Sequence, residues 1–252
     1  MRIFACSDIH VDYEENLRFF NSVSKSDFQK DILILAGDVT DNITLLQKVL
    51  EHLRACFFQL LYVPGNHDLW VRYDTGLNSL MKWQRIRTIA ENIGIIVEPF
   101  NYDSLLIVPL LGWYDYSFGL PSSRMLDIWM DYYACKWPEG FNESSITSYF
   151  TDKNEPHIGL NNDFVISFSH FVPRIDLLPV NMPHYKQYLY PVLGSSLIER
   201  QIRQLGSDIH IYGHSHINDR FRKDGTVYIN NAFGYPYEAH IASKELECIL
   251  EI

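Results

Sequence analysis

FFQLLYVPGNHD, residues 57–68, passes from an apolar run straight through a turn into a cluster of metal- and proton-binding side chains. Phe57–Val63 has the length and composition of a buried β-strand, and Pro64-Gly65 closes it. Asn66, His67 and Asp68 therefore stand just beyond the strand's carboxyl end. DILILAGDVTD, residues 31–41, repeats the arrangement: an apolar strand over 31–36, Gly37, then Asp38 and Asp41. The strand over 2–7 likewise runs into Asp8-Ile9-His10.

Helical patterns separate these strands. Residues 14–24 and 77–92 read as helices, and over 42–55 Ile43, Leu46, Leu50 and Leu53 recur at three- or four-residue spacing. Apolar strands alternating with amphipathic helices predict βαβ units, and hence an α/β fold with its sheet covered on both faces. Residues 95–97 and 105–111 add strand-like runs. Periodicity then fails: 113–150 holds eleven aromatic residues in no clean register. Strands return at 163–169 and 208–212, with a helix over 195–205 between them. A hairpin follows at 220–223 and 226–230 around Asp224-Gly225, and a last strand or two over 240–252. One domain over 1–252, carrying an insertion or lid over 113–160, accounts for this order.

The chain has 252 residues, 47% of them apolar, enough to bury a sizeable core without covalent staples. A formal net charge of −10 weighs against duplex nucleic acid or an anionic membrane as partner. A small anionic substrate stays compatible with it, because a metal brings its own positive charge. Cys6, Cys56, Cys135 and Cys248 form no CxxC pair and read as reduced thiols. Cys6, alternating with Phe4, reads as packing. The chain opens directly into a strand, and its longest apolar run, over 105–113, is interrupted by Pro109 and far too short for a membrane span. The expectation is a cytoplasmic protein, and the sequence specifies no oligomeric state.

Two more clusters follow strands: Ser169-His170, and Gly213-His214-Ser215-His216. Ligands of open α/β sheets bind beyond the strands' carboxyl ends, so five clusters can converge on one edge. Mixed carboxylate and imidazole donors suit manganese, iron or zinc better than calcium or magnesium. Seven donors sharing one carboxylate suffice for two ions about 3.5–4 Å apart. No Cys-x5-Arg, P-loop or Gly-x-Ser-x-Gly pattern offers a competing chemistry.

Asp-x-His, Gly-Asp, Gly-Asn-His-Asp, His and Gly-His-x-His, in this order over residues 8–216, resemble the motifs of the calcineurin-like metallophosphoesterases. The resemblance implies a four-layer, two-sheet αββα sandwich with a dinuclear metal centre at one edge. It implies that Asp8, His10 and His216 hold one metal and Asn66, His170 and His214 the other, with Asp38 bridging. His67 would assist the leaving group, and Asp41 would orient His67 and keep it protonated. The implied reaction is hydrolysis of a phosphodiester or phosphomonoester of a small substrate, by attack of a metal-bridging hydroxide on phosphorus. A nuclease on the same site, and a non-catalytic metal-binding scaffold on the same fold, are the alternatives. Asp41-Asn42-Ile43 and the terminal Asp68 depart from the protein serine/threonine phosphatases, whereas residues 63–68 resemble a bacterial branch of phosphodiesterases and phosphohydrolases.

Arg174, four residues after His170, is the candidate phosphate-contacting cation; a surface ion pair is its other reading. Trp113, Tyr114, Tyr116 and Trp129 either wall a substrate pocket or form a satellite core. Tyr185, Lys186 and Tyr188 carry the same two readings. His52, His157, His184, His210 and His240 match no ligand position.

Overall fold

Residues 1–179 and 187–252 are described by the computed structural model. Three parallel strands, β1 (Arg2–Cys6), β2 (Phe28–Ala36) and β3 (Phe57–Val63), form most of the first sheet. The C-terminal strand β10 (Glu247–Glu251) adds antiparallel to β1, giving the order β10-β1-β2-β3. The second sheet has the order β4-β5-β6-β7-β9-β8. Its parallel centre is β5 (Leu105–Pro109), β6 (Phe164–Phe168), β7 (Ile209–Tyr212) and β9 (Thr226–Asn230). Antiparallel β4 (Phe100–Tyr102) and β8 (Asp219–Lys223) flank it.

Period-two alternation sorts the strand residues into layers. Ile3, Ala5, Ile32, Ile34 and Leu61 turn toward Ile107, Ile166, Ile211 and Ile229 of the other sheet, and this inter-sheet core is fully buried. Phe4, Cys6, Leu33, Leu35 and Leu60 turn the other way, onto the helical layer. That layer contains α1 (Glu14–Ser22), α2 (Ile43–Cys56) and α3 (Ser79–Asn92). The side chain of Asn42 starts α2 by accepting the Thr44 and Leu45 amides, both at 3.0 Å, and Asn78 starts α3 through the Met81 amide at 2.9 Å. The sheet is covered on both faces as its composition predicts, one face by helices and the other by a second sheet.

On the far side of the second sheet lie α6 (Glu143–Asn154) and α7 (Ser196–Leu205). The aromatic segment joins them there, with two short helices, α4 (Ser123–Ile128) and α5 (Asp131–Ala134). Trp113, Tyr114, Ile146 and Phe150 are buried with Leu106 and Val108 of β5 and Ile198 and Ile202 of α7. Tyr116 and Trp129 pack partly buried against them. The layers are thus helix, sheet, sheet and helix. The sequence reading missed β4 and α6 and set several boundaries one to several residues off. β2 starts at Phe28, where the pairing with β3 shifts register, and residues 95–97 contribute only a single bridge, Ile96 to Leu61.

Candidate metal centre

Every strand-end cluster arrives at the same edge. Asp8 and His10 follow β1, Asp38 follows β2, Asn66 and His67 follow β3, His170 follows β6, and His214 and His216 follow β7. The chain must turn sharply to aim these side chains inward. Asp8, His10, Asp38, His214 and His216 all adopt positive φ, between 38° and 67°. Gly65 permits a close approach within the centre: a Cβ there would lie 2.1 Å from Oδ1 of Asp38.

The donors fall into two groups sharing Asp38. In the first, His216 Nε2 lies 3.1 Å from His10 Nε2 and 3.3 Å from Asp8 Oδ1, and His10 Nε2 is 3.9 Å from Asp38 Oδ2. In the second, His170 Nε2 lies 3.1 Å from both Asn66 Oδ1 and His214 Nδ1, and 3.5 Å from Asp38 Oδ1.

Hydrogen bonding on the outer side decides what these atoms can do. His170 Nδ1 faces the Ala36 carbonyl at 3.0 Å, and His214 Nε2 faces the Val192 carbonyl at 3.0 Å. A carbonyl only accepts, so those nitrogens carry the protons and the opposite nitrogens present lone pairs. Asn66 donates Nδ2–H to Asp131 at 2.8 Å, which aims its Oδ1 inward. Four acceptors therefore converge with no hydrogen among them. A cation fits such a set, because ligands about 2.1 Å from one ion stand roughly 3.0–3.4 Å apart.

Charge follows the same logic. Burial and the neighbouring His170 push His214 down to about 3, and burial with the other imidazoles holds His10 well below the ordinary histidine value. Both rings are thus neutral and able to ligate. Burial and the facing Asp8 raise the Asp38 carboxyl well above the usual range, a repulsion that a cation between the two would relieve. His216 is the exception. Burial opposes its charge, but Asp8 and Glu238 outweigh burial and push it up to about 9.

His67 lies beside the first group, its Nε2 3.9 Å from Asp38 Oδ2 and 3.5 Å from the Tyr235 hydroxyl. Its ring stacks on Trp70 with centroids 3.7 Å apart. Asp41 is placed differently from the sequence reading. Its carboxylate takes the Arg72 Nε–H at 2.7 Å, so Arg72 intercepts the charge that was expected to reach His67. Burial and the surrounding imidazoles accordingly hold His67 well below the ordinary value, the opposite of the protonated ring expected. Arg174 is likewise committed elsewhere. It donates to Asp176 at 2.8 and 3.0 Å, to Asp224 at 2.6 Å and to Glu199 at 3.2 Å, so carboxylates occupy each of its nitrogens.

His210 donates and accepts between Ser167 and Ser169 inside the second sheet, His157 pairs with Glu98, and His52 and His240 lie outside the site. His184, Tyr185 and Lys186 fall outside the described residues. Four contributors escaped the sequence reading. Glu238 accepts from His216 Nδ1 at 2.6 Å, and Tyr235 stacks on His10 with centroids 4.4 Å apart. Asp131 holds Asn66. Asp68 fixes both loops by accepting the Asp38, Val39, Thr40 and Gly65 amides and the Tyr62 hydroxyl, all at 2.8–3.0 Å. The strand–turn pattern marked Asp68 but not its role, and the other three lie on segments without that pattern.

Two packed sheets with imidazole, carboxylate and amide donors gathered at one edge define a metal-dependent phosphoesterase. Residues 1–218 match the calcineurin-like phosphoesterase family, and the chain belongs to it. It is a metal-dependent hydrolase of phosphoesters. Over 125 residues it is 30% identical to acyl-carrier-protein phosphodiesterase PptH of Mycobacterium tuberculosis. That match covers 46% of this chain and 38% of the relative, so the matched stretch spans well under half of that protein's length. The crystal structure of phosphopantetheinyl hydrolase (PptH) from the same organism has the same fold. It superposes with a TM-score of 0.80 at 21% identity, covering 95% of this chain and 91% of that one. Among the described residues no helix is long and apolar enough to cross a membrane.

Proposed function

We propose that the chain is a dinuclear phosphodiesterase acting on a small phosphodiester, with a phosphopantetheinyl ester as the leading substrate class. The observation that carries the reading is the pair of converging donor groups, Asp8–His10–His216 and Asp38–His170–His214, with Asp38 facing both. The diester preference is supported by the likeness to PptH. A net charge of −10 argues against a long polyanion such as duplex DNA.

Asp8, His10, His216 and Asp38 Oδ2 would hold one ion, and Asn66, His170, His214 and Asp38 Oδ1 the other. Manganese, iron or zinc suits the mixed nitrogen and oxygen set. Two such ions, when bound, polarise the phosphoryl group and acidify the attacking water. Glu238 and the Ala36 and Val192 carbonyls fix the tautomer and orientation of the His216, His170 and His214 rings. His67, stacked on Trp70 and kept neutral by burial and the neighbouring imidazoles, would direct an N–H to a phosphoryl or leaving-group oxygen. We read residues 1–252 as one domain whose 113–160 segment braces the site from the side of Asn66 and His214. Four free cysteines, three of them buried, suit a reducing, cytoplasmic setting.

The test is hydrolysis of bis(p-nitrophenyl) phosphate against p-nitrophenyl phosphate, by manganese-loaded and chelated protein. Faster metal-dependent cleavage of the diester is expected. A preference for the monoester would make the chain a phosphomonoesterase, and inactivity toward both with two ions bound would overturn the reading.

A further inference from the structure

We propose that Asp131, supplied by the aromatic insertion, is the positioning residue that sets the second metal group. The proposal rests on reading Asn66 as a ligand of that group. The Asp131 carboxylate is buried, 2% exposed, and receives three N–H donors from three parts of the chain. Its Oδ1 accepts from Asn66 Nδ2 at 2.8 Å and from Trp70 Nε1 at 2.6 Å, and its Oδ2 accepts from Trp129 Nε1 at 2.8 Å.

Each donor belongs to a group that touches the centre. Asn66 offers Oδ1 toward His170 Nε2, Trp70 is the surface on which His67 stacks, and Trp129 meets the His214 ring edge-on, with centroids 6.0 Å apart. An amide can rotate by half a turn and exchange its oxygen for its NH2 group. Turned that way, Asn66 would aim N–H groups at the lone pairs and cation position it is meant to serve. Asp131 prevents this, because an ionised carboxylate only accepts, and whichever Asn66 atom faces it must carry hydrogen. The same one-way polarity fixes both indole rings. A neutral hydrogen-bonding residue could fill the space but could reverse its own dipole, so the acceptor-only group specifies the orientation. The negative charge beside the second ion's position adds attraction that the neutral amide ligand lacks.

The test is a manganese titration of the full chain followed by electron paramagnetic resonance, which counts free ions and detects the spin-coupled pair. Wild type is expected to bind two ions. Asp131→Asn gives one acceptor and one donor where three N–H groups need acceptance, and it should weaken the second ion by 10–100-fold while leaving the first within about twofold. Asn66→Asp places two carboxylates face to face and should also lose the second ion. The double variant Asn66→Asp/Asp131→Asn restores one donor against one acceptor, and should bind the second ion at least tenfold more tightly than either single variant. That recovery separates positioning from packing. Wild-type binding by Asp131→Asn would overturn the proposal. So would equal weakening of both ions with a lowered melting temperature and no recovery in the double variant. If Asp131→Asn does not fold, the double variant decides alone: a folded chain binding two ions supports the proposal, and one binding a single ion overturns it. Wild type binding fewer than two ions would instead overturn the dinuclear reading, and the proposal with it.

Discussion

A proton on His216 competes with the ion at the first donor group, and its strength follows from the geometry. The ring lies between Asp8 Oδ1, 3.3 Å from Nε2, and Glu238 Oε2, 2.6 Å from Nδ1. Burial opposes the charge, the two carboxylates favour it more strongly, and the pKa rises to about 9 from 6.5. In chelated protein the folded chain therefore binds this proton more tightly than the unfolded chain. The associated stability is complete below pH 6.5 and is lost as pH rises through 9. A gap of about 2.5 pH units corresponds to roughly 3 kcal/mol. Ion binding runs the other way, because it needs the Nε2 lone pair. Affinity at this group should climb about tenfold per pH unit between 6.5 and 9, and at pH 7 the proton should weaken it about 100-fold. Manganese titrations from pH 6 to 9.5, beside urea unfolding of chelated protein over the same range, measure both slopes. Glu238→Gln keeps an acceptor for Nδ1–H but removes one charge. Its ion affinity should fall by about tenfold at pH 9 and by less at pH 6.5, where wild type has more proton to displace. A wild-type-to-variant ratio that does not change with pH, or chelated protein whose stability is flat across the window, would refute the role given to Glu238.

Asp68→Asn turns one of two accepting oxygens into a donor and leaves at least two of five buried donors unpaired, so urea unfolding should show a loss of about 2–6 kcal/mol. Gly65→Ala places a methyl 2.1 Å from the Asp38 carboxylate and should abolish stoichiometric ion binding in elemental analysis. Gly206→Ala, at φ +69° after α7 with open space around it, should lower stability by about 1 kcal/mol and leave the ion content unchanged.

The strand-end pattern brought the seven donors into view together with Asp41, His67 and Asp68, because parallel strands deliver their carboxyl ends to one edge; the family resemblance, not the pattern, set the seven apart as candidate ligands. Strands alternating with helical patterns predicted a sheet covered on both faces, and the resemblance supplied the second sheet; Ile3 and Ala5 turn toward that sheet and Phe4 and Cys6 toward the helices. The orienting groups were hidden because they cross the chain. Asp131 reaches Asn66 from 65 positions away, and Glu238 reaches His216 from a turn with no strand before it. Asp41 and Arg174 show why sequence proximity misleads. Arg72 is only five positions beyond His67 and a better partner for Asp41 than an imidazole. Arg174 is close to His170 in sequence, but its turn directs it to Asp176 and to Asp224 of the β8–β9 hairpin.

Positive φ at five donor residues was equally invisible, and it bears on how the centre is kept in shape. Left-handed backbone costs a non-glycine residue up to about 1–2 kcal/mol, less for aspartate and histidine, so five such residues together store on the order of a few kcal/mol, an appreciable part of the net stability of a typical domain. Strain of that size persists only where neighbouring bonds over-determine the backbone. Here they do: the Asp8 amide donates to the Gly37 carbonyl at 2.9 Å, and the His10 amide to the Asp38 carbonyl at 3.0 Å. The Asp38 amide donates to Asp68 and the His214 amide to Asp8 Oδ1, each at 3.0 Å. The turns after β1, β2, β3 and β7 are thus tied to one another, so Asp8, His10, Asp38 and His214 cannot relax independently. Aspartate and histidine tolerate this conformation better than branched residues, and they are also the residues that bind metal. At these five positions the backbone requirement and the ligand requirement select the same side chains, which helps gather the polar donors at a single sheet edge.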